Sequence, residues 1–362
     1  MLFWIVRGIV GRRRPSPAGP SLRLLRAGTI AWAVASILSV LFAEERGASW
    51  AKLVKLLPIG LLFYLPRALG TEARLRHAAG ALLVGGAITS AYGIAYYLND
   101  PSTRLGGFIG FYMTTAGVLL LTALAGAALL VTRGVGGNVR RIAWGSVPVV
   151  LVALVLTDTR GAWIGLFAGL LALGFLVARR LAAIPVVLLA LLLLVPGKPR
   201  ETALSAVDLR HPRNRERLFM WKAGLAIFRD HPWTGVGLSG MDRIYRRYQD
   251  PQSKERPPHL HSVPIQLLAG MGIAGFVAWV FLFGSMLAWM LRAREGGTRG
   301  PPIARALVLG GIVSWVAFAA NGLVEWNLGD LEVITLFWAV MGLAAAAAGV
   351  ANGEAVRAGR AR

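Results

Sequence analysis

The 362 residues contain no cysteine, which excludes disulfides, thiolate metal ligands and a cysteine nucleophile. Charge is scarce as well: 15% of the residues are charged and 56% are apolar, with a mean hydropathy of +0.60. A soluble domain cannot carry that balance, and repeated apolar runs of about 20 residues read as membrane-spanning helices. Acidic residues are few, 17 against 39 basic ones, and there are only five histidines.

Ten candidate spans follow the hydropathy, at about 28–43, 53–66, 78–98, 107–131, 142–158, 161–178, 181–196, 263–291, 303–323 and 331–351. The expected fold is therefore all-α, a polytopic helical membrane protein with about ten transmembrane helices. Residues 1–27 read as a basic cytoplasmic or interfacial arm, because the apolar start is too short to span and its arginines follow it instead of preceding it as in a cleavable signal. The alternative is that residues 1–10 form part of a further helix.

Orientation comes from the basic residues, which cytoplasmic loops retain. With the N-terminus inside, 21 of the 39 lie in the arm, in the short cytoplasmic connections and in the tail 352–362, and five lie at the short external turns. The other 13 all fall within residues 197–260, inside the one long loop, 197–262, which is external by parity. Its seven acidic residues leave a local excess of six positive charges, which points to an anionic partner. Attraction to anionic lipid headgroups is the other reading of that charge. No nucleic-acid motif appears, and nucleic acid is not expected as a partner.

Within the loop, "NRERLFMWKAGLAIFRDHPWTGVGLSG" places Leu218, Trp221, Leu225 and Phe228 at helical spacing, an amphipathic helix expected to lie on the membrane or the bundle. Asn214 is the expected cap and Pro232 the stop. Arg217, four residues before Trp221, shares its side of the helix. "TGVGLSG" is a glycine-rich turn whose backbone N–H groups can approach a phosphate, or a flexible connection.

Two further features interrupt apolar stretches. In "VLTDTRGAWIGLFAGLL", Asp158 and Arg160 sit between two spans joined by almost no loop, so Arg160 lies near the external surface, a costly position for a charge. It either serves a site, pairs with Asp158 or snorkels to headgroups, while Gly161 and Gly165 suit close helix packing. In "PPHLHSVPIQLLAGMGIAGF", His259 and His261 end the external loop just before a span. A zinc site would need a third ligand such as Asp250 or Glu255, and no metal is expected.

"TDTRGAWIGL", "RLFMWKAGLAIFRDHPWTGVG" and "HLHSVPIQLLAGMGIAGF" together resemble, in order and spacing, the O-antigen ligase and polymerase superfamily of bacterial membrane glycosyltransferases. The resemblance implies a GT-C-like architecture, a site at the periplasmic face of the inner membrane, an undecaprenyl diphosphate-linked glycan donor, a saccharide or lipid-linked acceptor, and no metal, nucleotide or other cofactor. It places the family's functional arginines on Arg160 and Arg217 and its histidine on His261. The family usually has asparagine after that histidine, where this chain has Ser262 followed by Pro264.

The residue types suit this chemistry. A leaving diphosphate needs its growing charge stabilised, which forked guanidinium groups do well; Arg160 and Arg217 take that role, with Arg210, Arg213 and Arg215 as a looser attraction. A neutral imidazole, His261, can take the proton of an attacking hydroxyl. His259, Asp158 and Gln266 are candidates for orienting the base or the sugar. The expected activity is a ligase moving the glycan onto an acceptor such as the lipid A-core saccharide, with inversion. The rivals are a polymerase of the same superfamily and a non-enzymatic lipid or polysaccharide transporter. A transporter would bury charge near the midplane, and the mid-span positions here are almost uncharged.

Overall fold

The computed structural model describes residues 22–194, 196–208, 210–297 and 300–360, and among these there are helices and no strand. Most of the expected N-terminal arm, together with Arg299 and Arg362, lies outside the described residues. Nine helical segments among the described residues are long and apolar enough to cross a membrane. They are α1 (Arg23–Leu41), the composite Arg46–Ala68, α4 (Glu72–Asn99), α5 (Tyr112–Val131), α6 (Asn138–Leu156), α7 (Arg160–Val177), α12 (Val263–Gly296), α13 (Pro302–Gly322) and the Leu331–Asn352 part of α14 (Leu331–Arg360). The composite span joins α2 (Arg46–Lys52) and α3 (Leu61–Ala68) through a 3-10 stretch, Leu53–Gly60, that contains Pro58, whose missing N–H breaks the α ladder.

The expected span 181–196 takes a different form. Its helix α8 (Ala183–Leu194), preceded by a 3-10 turn at Arg179–Ala182, is folded back by 118° against Lys198–Ala206, most of α9 (Lys198–Val207), so the pair is one broken span at most. Gly197, at φ 114°, makes the turn, a conformation that only glycine adopts without strain. The expected span 107–131 also starts late: residues 107–109 form a 3-10 turn ended by Gly110 at φ 79°, and α5 begins at Tyr112.

α13 is central, packed against α5, α7 and α14, while α12 runs along α1 and α4 along α6. One apolar core joins α12, α13 and α14 to α1, α3 and α4, and a second joins α5, α6 and α7 to α13. Large apolar side chains such as Ile88, Trp144 and Phe175 stay exposed on the outside, as a lipid-facing surface requires. At one end of the bundle basic residues tie the connections together: Arg76 donates to the Gly136 carbonyl at 3.0 Å and Arg305 to that of Arg133 at 3.3 Å.

The long loop docks at the other end through α10 (Pro212–Asp230) and α11 (Met241–Tyr248), which form a small core of their own with Leu260 and Ala269. The face of α10 that packs is Met220, Ala223, Gly224 and Ile227; Leu218 and Leu225 of the expected face are exposed. The small residues decide this, since a Cβ on Gly224 would fall 2.4 Å from Ile265 and 2.7 Å from Leu260. Asn214 does not cap the helix, which starts earlier, after His211.

The glycine-rich turn has a structural task. α12 is broken at Gly272 (φ 62°, ψ −165°), which frees backbone groups at membrane depth. The turn satisfies them: Val236 and Gly237 donate to the carbonyls of Ala269 and Gly270 at 3.0 and 2.8 Å, and Ile273 donates to that of Pro232 at 2.8 Å. Such close approach needs glycine, because a Cβ on Gly272 would sit 2.4 Å from the Trp233 backbone.

Candidate functional site

Between the loop and the ends of α7 and α13 lies a cavity of about 260 Å³, lined by Arg160, Arg213 and Arg217, with Arg104, Asp158, His261 and Glu325. Five of the expected residues thus meet at one place: Asp158 just before α7, Arg160 at its first position, Arg213 and Arg217 on α10, and His261 just before α12.

Glu325, in the turn between α13 and α14, is the residue the sequence reading missed. It is 7% exposed and joins two of the expected residues. One carboxylate oxygen pairs with the Arg217 guanidinium, and the other lies 3.1 Å from His261 Nδ1. Burial works against its ionisation, but the His261 hydrogen bond and the nearby Arg217 charge outweigh that and hold the carboxyl below its ordinary range. An ionised Glu325 can only accept, so the bond requires the proton on Nδ1, and in the neutral ring Nε2 is then the nitrogen with the lone pair. The signal for it was present: in "NGLVEWNLG" a carboxylate interrupts an apolar region, the same cue that picked out Arg160.

His261 is held in an unusual conformation. It and Asp158 are the two non-glycine residues at positive φ among the described residues, at 47° and 52°. Such backbone persists only where its surroundings impose it. Here both polar groups of the preceding Leu260 are clamped by side chains: Gln266 Oε1 accepts from its N–H at 2.8 Å, and Trp221 Nε1 donates to its carbonyl at 3.1 Å. Gln266 is therefore a brace behind His261 and does not line the arginine cavity. Ser262 is the buried first residue flanking α12, and its side chain makes no capping bond.

Arg160 does not pair with Asp158, which instead bonds Arg104 at 3.2 Å. Arg160 Nη1 donates to the Ser205 carbonyl and to Asn214 Oδ1, both at 3.0 Å, so neutral oxygens fix it and leave its charge uncompensated. Asn214 holds that geometry by donating to the carbonyls of Ser205 and Asp208 at 2.8 and 2.7 Å. Arg213 lines the cavity and makes no ion pair among the described residues. Arg210 and Arg215 do not line it: both are exposed, and Arg215 bonds Gln252 at 3.2 Å.

His259 also lies outside the arginine cavity, with its ring edge-on to that of His261 at 4.3 Å between centroids. Burial, helped by the neighbouring His261, pushes its pKa down to about 4, so it is neutral and a poor base. The unfolded chain binds a proton there near pH 6.5 and the folded one does not, so stability falls as pH drops from 6.5 toward 4. Thermal unfolding over that window measures this: His259→Gln should lose part of the wild-type slope, and an unchanged slope would contradict the burial of a neutral His259.

Close packing of α7 against the Glu325 turn is what brings Arg160 and the carboxylate together. A Cβ on Gly161 would fall 2.8 Å from Glu325 Cγ, and one on Gly165 2.8 Å from the Ala317 carbonyl. Gly161→Ala is therefore expected to displace Glu325 and lower activity by about 10²-fold at equal membrane content, since sub-ångström placement carries such factors.

A family model described as O-antigen ligase (Wzy_C) matches residues 145–280. The matched segment contains Arg160, Arg217 and His261 and ends before Glu325. No curated protein matches the chain. Residues 145–280 are thus similar to the O-antigen ligase family, and they lie in a helical protein with several segments long and apolar enough to cross a membrane.

Proposed function

We propose that the protein transfers a glycan from undecaprenyl diphosphate to a hydroxyl of an acceptor such as the lipid A-core saccharide. The observation that carries this is the cavity in which a histidine hydrogen-bonded to a buried carboxylate shares the lining with Arg160 and Arg213, which make no ion pair among the described residues, and with Arg217. Positive charge with neutral fixation is suited to a diphosphate, and a base beside it is suited to the attacking hydroxyl.

In this reading Arg160, Arg213 and Arg217 hold the diphosphate. His261 Nε2 takes the acceptor's hydroxyl proton as that oxygen bonds the anomeric carbon. The bond from that carbon to the diphosphate oxygen breaks, and undecaprenyl diphosphate leaves with the electron pair, its charge met by the arginines. Glu325 accepts the Nδ1–H bond throughout and stabilises the imidazolium formed, the orienting role a carboxylate plays behind a catalytic histidine. Attack opposite the leaving group inverts the anomeric carbon.

The distribution of basic residues supports an inner-membrane orientation with both termini cytoplasmic and the loop 197–262, with the site, periplasmic. Deleting the gene and profiling both surface lipopolysaccharide and the lipid-linked pool tests the function. Long undecaprenyl-linked glycan accumulating over bare core is the expected outcome. A core capped by a single unit would reassign the protein as a polymerase, and an unchanged profile would remove both.

A further inference from the structure

A second cavity, of about 350 Å³, has His259 in its lining and none of the arginines of the first. His259 lines this one and His261 the other, and a narrow cleft of about 20 Å³, bordered by His259, Glu325 and Asp330, runs between the two. Its mouth is made by the end of the glycine-rich turn, Ser239 and Gly240, with Lys52, Lys55, Asp242 and Asp330. The floor is aromatic, with Trp279, Phe283 and Trp338 within it. Trp279 and Trp338 each pack on Phe283, at 5.0 and 6.2 Å between ring centroids, so the floor is rigid.

Two polar atoms in its wall, Trp279 Nε1 and His259 Nδ1, are buried and have no hydrogen-bond partner among the described residues. Unmet polar atoms of this kind, Trp279 Nε1 a donor and His259 Nδ1 a donor or an acceptor according to the tautomer, are costly and are few in a well-packed protein. Both residues line the same cavity, and a hydroxyl, which both donates and accepts, suits the two atoms. The charge at the mouth decides which ligand. Two lysines face two carboxylates, and Lys55 already donates to the Gly329 carbonyl, so the mouth has no net attraction for a diphosphate. Mixed donors and acceptors over an aromatic floor suit instead a hydroxyl-rich head joined to a hydrocarbon chain.

We propose that this cavity binds the acceptor, a glycolipid whose sugar lies at the mouth beside His259 and whose acyl linkage reaches Trp279. The two substrates then meet across the His261–Glu325 pair from opposite sides, which is the approach that displacement at the anomeric carbon demands. This assignment rests on the glycosyl-transfer reading of the arginine cavity.

The test measures binding of two separate probes to the full-length protein in nanodiscs: purified lipid A-core glycolipid and undecaprenyl diphosphate. Trp279→Phe keeps the aromatic packing and deletes the N–H. Ser239→Trp fills the partly exposed mouth. Each is expected to weaken the glycolipid by about ten-fold or more, the size of one lost buried hydrogen bond or a blocked entrance, and to leave undecaprenyl diphosphate within about two-fold. The proposal fails if the wild type does not bind the glycolipid, if neither variant weakens it, or if both probes weaken together, which would make the cavity part of the donor site. Arg217→Ala tests the donor site independently by weakening undecaprenyl diphosphate alone; if it does not, the donor assignment falls and the glycolipid result still decides the second cavity.

Discussion

His261→Ala is expected to lower glycosyl transfer by about 10²–10⁴-fold, the usual contribution of a positioned base, while the protein still inserts and still binds undecaprenyl diphosphate. The substitution removes the only imidazole lining the arginine cavity among the described residues, and His259 cannot replace it. That ring lies outside the cavity and its burial keeps its basicity low. In the proposed reading the diphosphate contacts come from arginines on α7 and α10, so binding should change little. Initial transfer rates at saturating donor, with donor affinity measured alongside, separate the two effects. Substantial transfer in the alanine variant would remove the general-base role.

Glu325→Gln is expected to have an effect of similar size, about 10²–10⁴-fold, for a different reason. Glutamine fills the same space but cannot accept with a full charge, so the proton on Nδ1 is no longer fixed and the imidazolium formed during transfer loses its counter-charge. Arg217 also loses its partner. Affinity for undecaprenyl diphosphate should hold or rise as that guanidinium becomes free for phosphate oxygens. A parallel loss of rate and donor affinity would instead mean that Glu325 only supports the fold.

The spans were legible because a bilayer leaves no alternative to long apolar helices. The exceptions mark where backbone departs from a straight helix: the bend at Gly197, the late start of α5 after Gly110, and the break at Gly272, which single-residue hydropathy does not register. The amphipathic helix was placed correctly but its face was not, because Ala223 and Gly224 bury through close approach and not through hydrophobicity.

Arg160, Arg217 and His261 stood out as ionisable residues at the edges of apolar runs, and the structure brings them to one cavity. Glu325 satisfied the same criterion but belongs to a turn far along the chain, 64 residues from His261 and 108 from Arg217, and no local motif links them. Arg210 and Arg215 share the loop's charge without sharing the cavity: Arg210 precedes α10, and Arg215 is on α10 at a position that points elsewhere than Arg213 and Arg217. Gln266 and Trp221 illustrate a role that spacing alone does not reveal: their partner is the backbone of Leu260, and their effect is on the conformation of the next residue.

The most direct test of the central assignment is reconstitution of the purified protein with an undecaprenyl diphosphate-linked glycan and lipid A-core glycolipid, with no added metal or nucleotide, and detection of both products. The expected result is one glycan joined to the acceptor, with inverted anomeric configuration, for each undecaprenyl diphosphate released, and loss of both products in His261→Ala. Donor bound without transfer in the wild-type protein, or products formed equally well by His261→Ala, would contradict it.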